Sequence, residues 1–388
     1  MSKEKPLISI ILPCLNEEDA IFKCLSDLRT VISNNSLGAE VIVVDNGSTD
    51  KSIQIAERFS KDFSQLKIIV ENDRGYGNAY KKGLENANGD FIYMADCDDT
   101  YDFNEIPRFI EKLRNGFDLV VGNRFSGQME KGAMTFMKRY IGNPALSFLT
   151  RLFFGIRIHD IHCGARAISR SAYKKITLYT AGMEFASEMI VKAARSNLVI
   201  GEIPIKYRRR IGQTKLEAIG DGWRHLRFLL LYSPLFLFLL PGIVLFISGI
   251  ATNVIMYIDN PVILGVKLFF HPMFLFSAMT IIGYQLILFS MFSKIYAITH
   301  LGDKDKSFEK MFKIFSIERA GFAGAILAFA GLLIYSAIFY NWIKSGFGSL
   351  DEIKNSIVSI TLLIIGVQTF FSAFMLSTLG IREINNKS

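Results

Sequence analysis

Residues 41–50 read VIVVDNGSTD. Four consecutive β-branched residues end on an aspartate, and a turn of small and acidic residues follows. An unbroken apolar run of this length is how a strand buried on both faces reads, and such strands belong to parallel sheets covered by helices. The same grammar extends in both directions. Candidate strands are Leu7–Leu12, Glu40–Val44, Leu66–Val70, Phe91–Ala95 and Leu119–Val121, with helical patterns over roughly 17–33, 49–60, 75–88 and 105–115. This β-α-β-α order predicts a doubly wound α/β sheet whose ligands meet the carboxyl ends of the strands.

Those ends are acidic. Pro13-Cys14-Leu15-Asn16-Glu17-Glu18 follows the first strand, Asp45–Asp50 the second, and Asp96-Cys97-Asp98-Asp99 the fourth. Alone, the second reads as a helix cap and the third as a turn. Together at adjacent strand ends, their charges repel unless a cation or a donor-rich ligand lies between them. Asp96 and Asp98 flank a single residue, so both carboxylates can reach one hard cation, magnesium or manganese, which takes the rest of its shell from water and phosphate. A D-x-D of this kind is weak by itself, because it occurs by chance in many chains.

Beyond residue 234 the character changes. Half of the 388 residues are hydrophobic and the mean hydropathy is +0.29. The excess lies in four uncharged stretches, 235–257, 272–293, 320–343 and 357–381. Each is long enough to cross a hydrocarbon core of about 30 Å. Basic residues concentrate in 294–319 (Lys294, Lys304, Lys306, Lys310, Lys313, Arg319), while 258–271 holds Lys267 and 344–356 holds Lys344 and Lys354; Arg382 and Lys387 follow the last stretch. The positive-inside bias therefore predicts a multi-pass protein with its soluble domain and both termini in the cytosol. The polar start runs straight into a strand, so no secretory signal is expected. Cys14, Cys24, Cys97 and Cys163 show no paired spacing and read as free thiols. The net charge of +8 suits a protein lying against anionic lipid; no basic stripe with interleaved aromatics points to nucleic acid.

PCLNEE, VVDNGSTD, the Gly75-Tyr76-Gly77-Asn78-Ala79 turn and MADCDD, in that order over residues 7–216, resemble the family-two glycosyltransferases of the GT-A fold. The group most similar is that of the polyprenyl-phosphate sugar synthases, such as dolichyl-phosphate mannose or glucose synthase. The resemblance implies a Rossmann-like mixed sheet carrying a nucleotide-sugar site. Pro13, Leu15, Asn16, Glu17, Asp45, Gly75, Asn78 and Asp96 would hold the donor nucleotide, with Asp96 and Asp98 on Mg2+ or Mn2+. Asp99 and Thr100 depart from the Gln-containing run of some members, so the resemblance implies no third metal contact there. The glycines at 75 and 77 are not the dinucleotide fingerprint, since a third is lacking.

Downstream, Gly122-Asn123-Arg124-Phe125, Asp160-Ile161-His162-Cys163-Gly164 and Gly182–Glu188 resemble the acceptor side of the same fold. Asp98, Arg124 and Glu188 are the catalytic candidates. Glu184 and Glu188 share one helix face; each reads as a general base or as an arginine's partner. His162 is left outside the metal set. The run Tyr207–Leu216 matches the family's R-x-x-G-x-S/T-K pattern through Arg209, Gly212, Thr214 and Lys215. With Arg124 and Arg139 these residues form the expected acceptor-phosphate cluster, where arginine's planar fork suits phosphate. Two segments look interfacial: the helix carrying Leu216, Ile219, Trp223, Leu226 and Leu230 on one face, and the aromatic-rich Met134–Phe154. The expected organisation is a catalytic domain over 1–214, a juxtamembrane helix over 215–234, four spans over 235–381 and a tail over 382–388.

The resulting expectation is inverting transfer of one hexose from a UDP- or GDP-sugar to a polyprenyl phosphate at the cytoplasmic membrane face. A phosphate acceptor needs no strong base, whereas a lipid hydroxyl such as diacylglycerol would call on Glu188. A processive synthase would carry Q-x-x-R-W, and Gly222-Trp223-Arg224-His225-Leu226 is not that motif. A lipid translocator with an inactive transferase domain is the remaining alternative. Ala320, Gly324 and Ala328 share one face of the third span and permit close packing within the chain or in a homo-oligomer.

Overall fold

The computed structural model describes residues 5–212, 218–263, 265–300 and 317–380. The chain divides into two compact units, Met1–Tyr232 and Ser233–Ser388.

The first unit is built on a seven-stranded sheet. Its elements run β1 (Ile8–Cys14), α1 (Ile21–Asn34), β2 (Ala39–Asp45), α2 (Ser52–Ser60), β3 (Leu66–Val70), α3 (Tyr76–Asn86), β4 (Phe91–Met94), α4 (Ile106–Arg114) and β5 (Leu119–Asn123). Then follow α5 (Asn143–Phe154), β6 (Arg166–Ser169), the short α6 (Arg170–Tyr173), α7 (Phe185–Arg195), β7 (Ile200–Pro204) and α8 (Ala218–Leu231). The strand order is β3-β2-β1-β4-β6-β5-β7. Strands β3, β2, β1 and β4 are parallel, and β6 runs antiparallel to both its neighbours. The sheet is therefore mixed, and every strand expected from the apolar runs is present.

Burial explains the pattern. All seven residues of β2 are buried, as the unbroken apolar run requires. Of its two charged residues Asp45 ends the strand, and Glu40 lies at the amino end of the sheet, where Ser9 Oγ (2.6 Å), the Asn88 backbone N–H (2.6 Å) and Lys67 satisfy it. Helix α1 turns Ile21, Cys24, Leu25, Leu28, Val31 and Ile32 to the sheet, the spacing of one helical face. Because β2, β1 and β4 are neighbours, the three acidic turns lie side by side, as expected.

Helix α8 covers part of the core of the first unit. Its buried positions are His225, Phe228 and Leu229, which join the core of the first unit, while Trp223 is exposed. Trp223, expected to anchor the helix at the membrane surface, is left uncovered by these contacts. Leu216 lies outside the described residues.

The second unit contains α9 (Leu240–Ile258), α10 (His271–His300), α11 (Ile317–Lys344) and α12 (Ile353–Gly380). Four candidate spans, Leu235–Ile258, His271–Thr299, Glu318–Lys344 and Ile353–Gly380, have mean hydropathies of 1.7 to 2.4, yet only 11% to 33% of each apolar window is buried within the protein. The remaining apolar surface needs lipid to cover it. Between α11 and α12 the backbones touch: a Cβ on Gly366 would lie 2.2 Å from the Ala328 nitrogen and 2.7 Å from the Gly324 carbonyl. The small face of the third span is therefore used within the chain, against the fourth span. Tyr284 and Thr369 share a hydrogen bond of 2.5 Å, and Gln368 Nε2 donates to Gln285 Oε1 at 2.9 Å, tying α10 to α12 as polar groups do in lipid. Gly366→Leu should force α11 and α12 apart and lower the melting temperature of detergent-solubilised protein. Gly321→Leu, whose nearest neighbour stands 3.9 Å away, is the control expected to leave it in place.

Candidate active site

Two cavities open at the carboxyl ends of β1 and β4. One, of about 300 Å³, is walled by Pro13, Leu15, Glu17, Asn46, Gly75 and Gly182 among others. The second, of about 390 Å³, is walled by Thr100, Arg124, Met134, Lys138, His162, Arg209 and His225 among others. They share Tyr76, Asp96, Asp98, Met183 and Arg210. An acidic partition between two chambers is an arrangement that can bring two substrates to one point.

Of the residues expected on the donor side, Pro13, Leu15, Glu17, Gly75 and Asp96 line the first cavity; Asn16, Asp45 and Asn78 do not. Asp45 accepts from the Ser48 N–H at 3.0 Å, Asn16 Oδ1 from the Thr49 N–H at 2.7 Å, and Asn78 donates to the carbonyls of Asp73 and Arg74. They shape the turns behind the cavity. Asn46, which the sequence reading passed over, is on the wall. Its Oδ1 accepts from the Gly75 N–H at 2.7 Å, and its Nδ2 donates to the Glu71 and Asp73 carbonyls. It staples the end of β2 to the turn that opens α3.

Asp96 Oδ1 accepts from Tyr76 Oη at 2.9 Å and Tyr80 Oη at 3.3 Å. Burial, and then the charge of Asp98, push its pKa up to about 6. Asp98 Oδ1 accepts from the Thr100 N–H (3.1 Å) and hydroxyl (2.5 Å), while its Oδ2 meets Arg210 Nη1 at 2.9 Å. Arg210 also pairs with Glu17. Two carboxylates on one wall fit a divalent cation, which would relieve the repulsion that raises Asp96. Among the described residues no third His, Cys, Asp or Glu joins them.

The basic run is not a solvated face. Residues 206–211 cross back over the acidic turn: the Arg208 N–H donates to the Thr100 carbonyl (2.8 Å) and the Ile211 N–H to the Asp98 carbonyl (3.1 Å). Arg208 reaches Asp99 (3.4 Å) and Asp102 (3.2 Å), and Lys23 also pairs with Asp99. Alternation then sends Arg209 the other way, onto the wall of the second cavity. Thr214 and Lys215 lie outside the described residues.

Arg124 lies on the second cavity but its guanidinium is held by Asp160 through Nε (2.7 Å) and Nη2 (2.7 Å), with Tyr207 stacked 5.1 Å from it. Arg139 stacks over Tyr140 and does not line the cavity; its neighbour Lys138 does. Glu188 lines neither cavity. It is fully buried and accepts from the N–H groups of Tyr179 (2.9 Å) and Thr180 (2.8 Å), the Thr180 hydroxyl (2.6 Å) and Lys192 (2.8 Å). Burial alone would raise its pKa, but these bonds outweigh it and hold the carboxyl below the usual range. Glu188 thus fixes the loop 179–182 rather than offering a base. That loop presses on α3: the Gly77 N–H donates to the Ala181 carbonyl at 2.8 Å, and a Cβ on Gly77 would lie 2.4 Å from the Thr180 carbonyl. Protein backbone, not ligand, is what approaches that glycine.

Among known proteins, the chain matches the glycosyl transferase family 2 model over residues 9–177 and the model of that family's C-terminal transmembrane region over 291–380. It is 34% identical to the low-salt glycan biosynthesis hexosyltransferase Agl6 of Haloferax volcanii over 97% of this chain and 89% of that one. It is 31% identical to the dolichyl-phosphate hexose transferase of the same organism over 55% of this chain and 89% of the relative. A crystal structure of glucosyl-3-phosphoglycerate synthase from Mycobacterium tuberculosis with Mn2+ and UDP-glucose superposes with a TM-score of 0.47 at 20% identity, over 59% of this chain and 79% of that one.

Three outcomes test these assignments. Arg210 competes with any cation for Asp98, so Arg210→Ala should tighten Mn2+ binding, measured by electron paramagnetic resonance, by about ten-fold, the worth of one charge-assisted hydrogen bond. That affinity should fall as pH drops through about 6, where Asp96 takes up its proton. Glu188→Ala strands Lys192 and the loop amides and should destabilise the first unit by about 3–5 kcal/mol; a catalytic base would instead leave melting unchanged and lower turnover alone.

Proposed function

This chain belongs to glycosyl transferase family 2, and we propose that it transfers one hexose, with inversion, from a UDP- or GDP-sugar to a polyprenyl phosphate at the cytoplasmic face of a membrane. That it is a membrane glycosyltransferase with a GT-A-like mixed sheet follows from the family and from the four candidate spans. The donor, the acceptor and the orientation are the proposal. Its working parts are the catalytic domain over 1–214, the juxtamembrane segment 215–234, the membrane domain 235–381 and the tail beyond.

The observation that carries the acceptor is the wall of the second cavity. Among the described residues its only carboxylates are Asp96 and Asp98, which it shares with the first, and Arg124, Lys138 and Arg209 line it. A lipid hydroxyl needs a base to take its proton, and Glu188 is committed elsewhere. A phosphate is already ionised near neutral pH and is drawn to cations. The relative named dolichyl-phosphate hexose transferase points the same way. So does the flank of the cavity: Phe136, Met137, Tyr140, Ile141, Phe148 and Leu152 are at least half exposed, a surface suited to the headgroup boundary.

In this reading the nucleotide lies in the first cavity, against Pro13, Leu15 and Asn46, with its diphosphate toward Asp96 and Asp98. These two residues would hold Mg2+ or Mn2+, which when bound screens the charge of the departing diphosphate. Arg210 exchanges its carboxylate partners for the donor's phosphates. Tyr76 and Tyr80 keep Asp96 oriented on the shared wall. The acceptor phosphate enters from the other cavity, held by Arg209 and Lys138, so attack and departure occur on opposite faces of the sugar. Alignment and electrostatics supply the catalysis.

The basic residues at 294–319 support a middle loop on the same side as the catalytic domain; Lys304, Lys306, Lys310 and Lys313, like Arg382 and Lys387, lie outside the described residues.

A screen of nucleotide sugars against polyprenyl phosphate and diacylglycerol, read by mass, should give a single-sugar lipid phosphate. Product on diacylglycerol alone would overturn the acceptor. In Arg209→Ala the acceptor KM should rise about 10- to 150-fold, the cost of one charge-assisted bond of roughly 1.5–3 kcal/mol, while donor affinity holds. Loss of donor affinity alone would move Arg209 to the nucleotide.

A further inference from the structure

His162 lies in the turn that leads from Asp160 into β6. It lines the second cavity and not the first. Both of its ring nitrogens are buried and have no hydrogen-bond partner among the described residues. Polar atoms closed off in this way weaken the folded state, and native proteins rarely keep them without a use. Packing does not require them here. The ring meets His225 edge-on at 4.2 Å between centroids, and a phenyl ring would serve that contact. His225 itself is engaged, through Nδ1, by Ser187 Oγ at 2.9 Å.

The surroundings name the missing partner. The charged groups whose fields reach the ring are Arg124 and Arg166. Arg124 is neutralised by Asp160. Arg166, 2% exposed, donates only to the carbonyls of Ile161, Cys163 and Ala186 and pairs with no carboxylate among the described residues. The field at His162 is therefore positive. It repels a metal ion and attracts an anion that can accept a hydrogen bond. Burial, His225 and the two arginines also hold the ring's pKa well below its ordinary value, so the imidazole stays neutral, with one N–H to give and little strength as a base.

We propose that His162 donates a hydrogen bond from a ring N–H to a phosphate oxygen of the lipid acceptor, and so positions the attacking oxygen beside Asp96 and Asp98. This rests on the polyprenyl-phosphate reading above and adds to it a residue that selects a phosphate over a hydroxyl.

His162→Phe is the test. It keeps the ring against His225 and removes both nitrogens. The KM for polyprenyl phosphate should rise about ten-fold, as for one lost hydrogen bond to a charged group, with the nucleotide-sugar KM unchanged. The melting temperature of the ligand-free protein should hold or rise, because two unpaired polar atoms leave the interior. His162→Asn, which retains an N–H donor, should recover part of the acceptor affinity, and it carries the same KM comparison if the phenylalanine variant fails to fold. A lowered melting temperature with both KM values unchanged would make His162 a packing residue and overturn the proposal. A raised nucleotide-sugar KM with acceptor kinetics intact would assign the ring to the donor and overturn it equally. Wild-type enzyme that glycosylates only diacylglycerol would remove the acceptor reading itself; that result is read before any variant is made, so the two failures are distinct.

Discussion

Like charge crowded at one edge of the sheet is the constraint on which this active site depends. The order β2-β1-β4 brings Asp45, Glu17, Asp96 and Asp98 to one edge. Two carboxylates 4 Å apart repel by about 4 kcal/mol at the effective dielectric of a protein surface. The fold answers each charge separately. Asp45 is taken by a backbone N–H, Glu17 and Asp98 share Arg210, and Asp96 has two tyrosine hydroxyls and a raised proton affinity. Most of the answering cations come from residues 206–210, which follow the last strand of the sheet. The site is complete only when β7 is in place, so sheet closure and site assembly are one event.

A second chain of dependence runs through a buried carboxylate far from any substrate. Glu188 holds the amides of Tyr179 and Thr180, the loop carbonyls rest on the glycines opening α3, and α3 carries Tyr76 and Tyr80 to Asp96. Tyr80 also stacks on Phe185 of α7 at 5.3 Å. Both walls of the first cavity are thus locked together.

This explains what was legible in the sequence. The parallel strands were readable because both faces of β1 and β2 are buried, and the four spans because lipid imposes the same demand over a longer run. The acidic turns were readable because strand ends in such sheets bind ligands. The partners were not. Glu188 looked like a base because its spacing from Glu184 places it on a helix face but says nothing of Lys192 and the loop above it. Arg210 looked like its neighbours in a basic run, although it pairs with Glu17 and Asp98 on the wall common to both cavities, while Arg209 lines the second alone. Arg124 kept its place on the cavity wall while Asp160, 36 residues on, claimed its fork.

The acceptor reading joins two features that are awkward when taken singly. A cavity with unanswered positive charge beneath it, from Arg166, is a poor host for a neutral molecule. An exposed strip of Phe136, Tyr140 and Phe148 is a poor neighbour for water. A lipid phosphate satisfies both, with an anionic head for the cavity and an apolar chain for the strip. A soluble phosphate would use only the first, and a neutral glycerolipid only the second. The lipid chain adds roughly 0.8 kcal/mol per buried methylene, so it can dominate affinity, while the head decides whether the attacking oxygen is in line. On this view the apolar strip determines how tightly the acceptor is held, and the cation-lined cavity determines what it must be.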